Sequence, residues 1–180
     1  MSVYYVLLAL TAAERVLEMI VSTANAKWSF ARGGREVGRE HFPVMVALHT
    51  AFLIGCVVEP WLRGRAALSS IWPVALPVAI GCQALRWWCI TTLGRQWNTR
   101  VIVVPGLKRV TSGPYRWLPH PNYLAVVLEG IALPAVSGAW LTATVFTIAN
   151  AFLLRTRLLS ENRALHMLGQ GGLHEAGTGS

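Results

Sequence analysis

The chain has 180 residues, 54% of them hydrophobic and 13% charged, with a mean hydropathy of +0.47 and a formal charge of +8. That composition is too apolar for an ordinary soluble domain and the length too short for two domains of usual size, so one compact membrane domain is expected. Fourteen of the sixteen basic residues are arginine and aspartate is absent. With no nucleic-acid motif beside it, the excess base points to anionic lipid headgroups and away from nucleic acid.

About twenty apolar residues span a bilayer as a helix, and the sequence offers five such segments. The first, about Ser2 to Ser22, carries Glu14, Arg15 and Glu18. It lacks a basic front and a small-residue cleavage site, so it is expected to stay as a helix and not to be removed as a signal peptide. Charges inside a bilayer cost at least a few kcal/mol unless paired, so these three should face inward. A charged loop follows with Lys27, Arg32, Arg35 and Arg39, and its glycines Gly33, Gly34 and Gly38 do not follow a strand as a phosphate-cradling loop would.

The second segment runs from Pro43 to Leu62 and the third from Ser70 to Thr92. His41 and His49 have no partners at ligand spacing and are read as interfacial or packed. Cys56, Cys82 and Cys89 lack metal-like spacing and are read as buried small hydrophobes, so no metal site is expected. Arg86, inside the third segment, is expected either to pair inward or to snorkel toward Trp87 and Trp88. Next, Asn98 to Val104 is β-branched and ends at Pro105-Gly106, which predicts a short extended piece and a turn over a cytosolic pocket.

The last two segments, Pro121 to Val136 and Ala139 to Leu154, read as a helical hairpin turning at Ser137-Gly138, with the fourth helix short. Twelve Lys and Arg fall in the first and third loops and the tail, against two, Arg63 and Arg65, on the other side. The N-terminus is therefore expected outside and the C-terminus in the cytoplasm. Residues 1–168 form the single domain in this reading, and 169–180, Gly-rich and polar, a disordered tail. Glu129 poses the same intramembrane question as Arg86, and oligomeric state is not readable because no small-residue motif dominates a segment.

Between the third and fourth segments stands the run Gly113 to Tyr123, Gly-Pro-Tyr-Arg-Trp-Leu-Pro-His-Pro-Asn-Tyr. It gathers Arg116, His120, Tyr115 and Tyr123, groups able to hold a charged ligand and more than a connector needs. Pro121 at the first position of a helix leaves His120 as the boundary residue and turns free backbone N–H groups toward the loop, where an anion would be favoured. The bland alternative is an interfacial belt of aromatic and basic anchors. Arg157 and Glu161, four apart on a helix, fit an exposed ion pair or the closure of a pocket mouth.

Taken together, Thr92-Leu93-Gly94-Arg95-Gln96-Trp97, Val110 to Arg116, His120-Pro121-Asn122-Tyr123, and Arg157 with Glu161 and Leu165 resemble the isoprenylcysteine carboxyl methyltransferase family, including its small bacterial members. The resemblance implies an all-α, multi-pass protein of the bacterial inner membrane with about five transmembrane helices. Its cytosolic pocket would be built from the loop before the fourth helix and the C-terminal helix. It implies S-adenosylmethionine as cofactor, held by Gly113, Tyr115, Arg116, His120, Asn122 and Tyr123, with Arg157 and Glu161 catalytic. The acceptor would be lipophilic and come from the bilayer, either a prenylated cysteine carboxylate or a long-chain polyketide phenol or pyrone hydroxyl. Two departures stand out: Pro119 where the family usually has arginine, and Asn162 where it usually has a second acidic residue. An NADPH-dependent sterol-type reductase and a non-enzymatic membrane scaffold remain open.

Overall fold

A computed structural model describes the backbone of residues 2–64 and 68–175 and the side chains of residues 3–64 and 68–160. Five α-helices make up the body: α1 (Ser2–Phe30), α2 (His41–Leu62), α3 (Trp72–Leu93), α4 (Pro121–Ala135) and α5 (Trp140–Glu175). Two short strands, β1 (Arg35–Val37) and β2 (Val101–Val103), pair antiparallel with Glu36 opposite Ile102. The five helices fall where the apolar segments predict them. α1 is longer than its expected segment, continuing to Phe30, and the fifth span and the helix of Arg157 are one continuous α5.

Two helical stretches, His41–Leu62 and Trp72–Gln96, are long and apolar enough among the described residues to cross a membrane. α1 has Glu14, Arg15 and Glu18 across its middle, and α4, with 15 residues, is only about 22 Å long against a hydrocarbon core of about 30 Å. All five helices nevertheless turn apolar side chains outward, as with Leu124, Leu128 and Ile131 on α4 and Leu141, Val145, Ile148 and Phe152 on α5. Polar and charged side chains such as Glu18, Arg86 and Glu129 are buried inside beside the apolar core.

The interior is layered along the helix axes. At one end an apolar core joins Tyr4 and Leu8 of α1, Phe52 and Cys56 of α2, and Leu133 of α4. The Tyr4 hydroxyl donates to the Cys56 carbonyl at 3.0 Å. Gly130 lets α4 and α5 close on each other, since a Cβ there would sit 2.5 Å from the Phe146 ring. The hairpin turn falls at Ser137-Gly138 as expected, with Gly138 at φ +73°. All three cysteines are free and buried.

The start of α5 is capped from another helix. Glu59 of α2 accepts from the Leu141 and Thr142 N–H groups at 3.1 and 2.7 Å, and from the Thr142 hydroxyl at 2.7 Å, while Arg63 pairs with it at 2.6 Å. A carboxylate there satisfies orphan donors and meets the positive end of the helix dipole.

The middle layer is ionic. Arg86 is in direct ion contact with Glu129 and lies 3.5 Å from Glu18, and Arg15 reaches Glu18 at 3.1 Å and Glu129 at 3.8 Å. Gln83 joins the network, donating to Glu129 and accepting from Arg15, both at 2.9 Å. Of the two expectations for Arg86, inward pairing is the one realised.

Candidate functional site

The end of the bundle opposite the apolar core holds a cavity of about 660 Å³. Its roof is local in origin. Gly94, at φ +52°, stops α3 and throws the chain across the C-terminal half of α1. There the Asn25 amide donates to the Gly94 and Trp97 carbonyls at 3.1 and 2.7 Å, burying the Trp97 ring. Ser22 bonds Asn98 and Thr99 at 3.0 and 2.7 Å. β2 then continues the roof from Val101, in the stretch expected to be extended, and the Pro105-Gly106 turn closes it. Val101, Ile102 and Val103 line the cavity, and Arg100 is held at the side by Glu36 at 3.3 Å and by the Phe42 ring.

His120 bounds α4 and Pro121 opens it, as the sequence predicts. The His120 ring stacks on Tyr123, with centroids 5.2 Å apart and planes 7° from parallel, and both side chains line the cavity. The backbone donors expected to be free there are partly used, because the His120 carbonyl takes the Tyr123 and Leu124 N–H groups. Asn122 lines the cavity too, and its Oδ1 is buried without a hydrogen bond. Across the mouth, Arg157 of α5 donates to the Thr99 carbonyl at 2.7 Å and lies 6.0 Å from the Tyr123 ring centre. Arg157, remote in sequence from His120, Asn122 and Tyr123, thus lines one cavity with them.

Tyr115 also lines the cavity, hydrogen-bonded to Cys89. Gly113 and Arg116 do not. Gly113, at φ +56°, packs on Thr92 and Trp88, where a Cβ would come within 2.5 Å of the threonine hydroxyl, and Arg116 is exposed on the 3-10 turn Gly113–Arg116. The segment is a buttress for the wall, and only its tyrosine reaches the ligand space. The side chain of Glu161, with Asn162 and Leu165, and the tail expected from 169 to 180, lie outside the residues described in full.

Two further asparagines line the cavity, Asn98 in the stretch expected over a pocket and Asn150 without any sequence signal. Asn150 of α5 is 1% exposed with its Oδ1 unpartnered, and Asn98 has an unpartnered Nδ2. His49, read as packed, is packed: Nδ1 lies 2.9 Å from the Met45 carbonyl and the ring meets Phe146 edge-on. At the inner end the cavity reaches Arg15, Glu18 and Arg86 of the ionic layer. A void of about 10 Å³ lies deeper against Glu129 and Phe146 and has room for at most one water.

This arrangement, an α4 start carrying His-Pro-Asn-Tyr and an arginine from the last helix on one cavity, coincides with a sequence match. Residues 75–167, from α3 into α5, match the isoprenylcysteine carboxyl methyltransferase (ICMT) family. The chain belongs to that family. It is also similar to the uncharacterized protein YpbQ of Bacillus subtilis (strain 168), 35% identical over 162 residues, which cover 90% of this chain and 96% of that protein. α1 and α2, outside the family match, are thus largely included in the second one. ICMT-family membership points to a membrane methyltransferase acting on a lipophilic substrate.

Proposed function

We propose that this ICMT-family protein is an S-adenosylmethionine-dependent O-methyltransferase, multi-pass in the bacterial inner membrane, with its cavity open to the cytoplasm. The observation that carries the reading is the shared wall of His120, Asn122, Tyr123 and Arg157. The residues present suit such a cofactor: the volume lies within the range of small-molecule sites, about 300–1,000 Å³, and Asn98 and Asn122 bring buried polar atoms that still want partners. Lys and Arg concentrated in the loops on the cavity's side, and apolar side chains around every helix, support the topology.

Bound S-adenosylmethionine supplies a methyl group already activated on a sulfonium sulfur. What remains for the chain is to hold, align and keep dry. His120, Asn122 and Tyr123 would hold the cofactor, with the stacked rings as a flat wall. The Arg157 guanidinium, fixed by the Thr99 carbonyl, keeps further N–H groups to orient an anionic acceptor oxygen. The valine-rich roof excludes water. A carboxylate acceptor needs no base, whereas a phenol or enol needs its proton taken, a role for which Glu161 is the candidate. The acceptor is a prenylcysteine carboxylate or a long-chain polyketide phenol or pyrone hydroxyl.

A second reading, NADPH-dependent reduction, draws on Lys108 and Arg109 at the cavity edge, which suit a 2′-phosphate. Incubating the purified protein with methyl-labelled S-adenosylmethionine, NADPH and a bacterial lipid extract tests the first. Label entering the organic phase supports it, and label staying with the cofactor while NADPH is oxidised sinks it.

A further inference from the structure

We propose that Ser22 of α1 is a positioning residue for the Arg157 guanidinium: its hydroxyl fixes Thr99, and the Thr99 carbonyl fixes the arginine at the cavity. The inference rests on the methyltransferase reading and deepens it, because it places part of the site's alignment on α1, outside the stretch that matches the family.

Hydroxyls on the helices of this protein mostly turn back on their own helix. Thr23, Thr50, Thr91, Thr144 and Ser160 each donate to the carbonyl four residues earlier. That is the ordinary way for a helical Ser or Thr to satisfy its donor. Ser22 departs from it. Although only 2% exposed, it sends its hydroxyl to the connection after α3, donating to Asn98 Oδ1 at 3.0 Å and accepting the Thr99 N–H at 3.0 Å. With its one proton on Asn98, it accepts from the Thr99 hydroxyl 2.7 Å away. A hydroxyl has one donor and two acceptor sites, so its whole capacity goes to two consecutive residues.

Thr99 depends on that hold. It stands in a bend after the 3-10 turn Gly94–Gln96, before the ladder to β1 begins at Val101. Its N–H and hydroxyl go to Ser22 and its carbonyl to Arg157. The N–H and the carbonyl flank a single Cα, so a shift at the first is passed to the second. Arg157 Nη2 meets the carbonyl at 2.7 Å, with the Met45 sulfur beside Nη1 and the Tyr123 ring centre 6.0 Å from the guanidinium carbon. A misplacement of about 1 Å in a group that aligns reactants can slow a reaction about a hundredfold.

The next polar residue on the same buried face of α1 does something different. Asn25 holds the Gly94 and Trp97 carbonyls and so carries the roof, without touching Thr99. Ser22 is therefore the link between α1 and the arginine, and Asn25 the link between α1 and the roof.

The test reads two properties of the full-length protein in nanodiscs, for the wild type, Ser22→Ala, Arg157→Ala and the double variant. The first is the rate at which phenylglyoxal modifies Arg157, followed by peptide mass spectrometry against the exposed Arg116. Ser22→Ala is expected to raise the Arg157 rate about fivefold and leave Arg116 unchanged. The second is transfer of label from methyl-labelled S-adenosylmethionine into a bacterial lipid extract. Ser22→Ala is expected to slow it about tenfold with S-adenosylmethionine affinity unchanged, and to slow it no further once Arg157 is alanine. Ser22→Cys keeps the size and weakens the bonds, so it carries the test if Ser22→Ala fails to fold. Unchanged Arg157 reactivity, or losses in the double variant that multiply as for two independent residues, would overturn the assignment. Faster modification of Arg157 in Ser22→Ala, in a protein that neither binds S-adenosylmethionine nor transfers its label, would uphold the link and remove the methyltransferase reading.

Discussion

Arg86 and Glu129 meet in direct ion contact between α3 and α4, both sealed from solvent, at the level where the cavity gives way to the apolar core. Removing one partner leaves the other charge buried and uncompensated, which costs about 3–5 kcal/mol. Arg86→Met and Glu129→Leu are each expected to lower the thermal midpoint in detergent markedly. The double variant should recover a large part of the loss, and a double variant as unstable as the sum of the singles would show that the two do not act as a pair.

The Glu59 cap makes a local prediction. Glu59→Ala strips three hydrogen bonds from the start of α5 and should cost about 1–2 kcal/mol. Hydrogen exchange is the sharper readout. Amides at Leu141 and Thr142 are expected to exchange faster, with those near Phe52 unchanged.

Much of this architecture is written in short stretches of sequence, and those stretches were readable. Pro121 starts a helix because its ring fixes φ and has no N–H to lose, Ser137-Gly138 turns because glycine tolerates φ +73°, and Val101 to Val103 extends because it is β-branched. What could not be read depends on partners far along the chain. Nothing near Glu59 marks it as the cap of a helix beginning at Trp140, and nothing near Asn150 marks it as the back of a cavity. The Gly113 to Tyr123 run reads in sequence as one ligand-holding piece, but it divides at the 3-10 turn, with Tyr115 and His120 on the cavity and Gly113 and Arg116 away from it. The number of helices follows from hydropathy, while only two stretches among the described residues pass as spans on length and composition, because α1 carries charges across its middle and α4 is short.

Close approach of α4 and α5 depends on Gly130. Gly130→Val would drive methyl groups into the Phe146 ring and is expected to cost about 1–3 kcal/mol, the usual penalty of overpacking. Pairing it with Phe146→Leu should return part of that stability in a thermal melt. No recovery would mean that the clash lies elsewhere.

Arg157 is expected to need its fork and not only its charge. It donates to the Thr99 carbonyl while lying near the Tyr123 ring, and a lysine cannot span both. Arg157→Lys should therefore cut kcat/KM for methyl transfer about tenfold or more with little change in thermal midpoint, and Arg157→Ala further still. Equal activity of the lysine variant would reduce the residue to a point charge.

In the proposed function the cavity wall of His120, Asn122 and Tyr123 holds S-adenosylmethionine. The decisive experiment is calorimetric titration of that cofactor into the detergent-purified protein, beside His120→Ala and beside NADPH. Saturable binding of S-adenosylmethionine, clearly weakened in His120→Ala and not matched by NADPH, is the expected result. Binding of NADPH alone, of neither cofactor, or of S-adenosylmethionine with undiminished affinity in His120→Ala would contradict it.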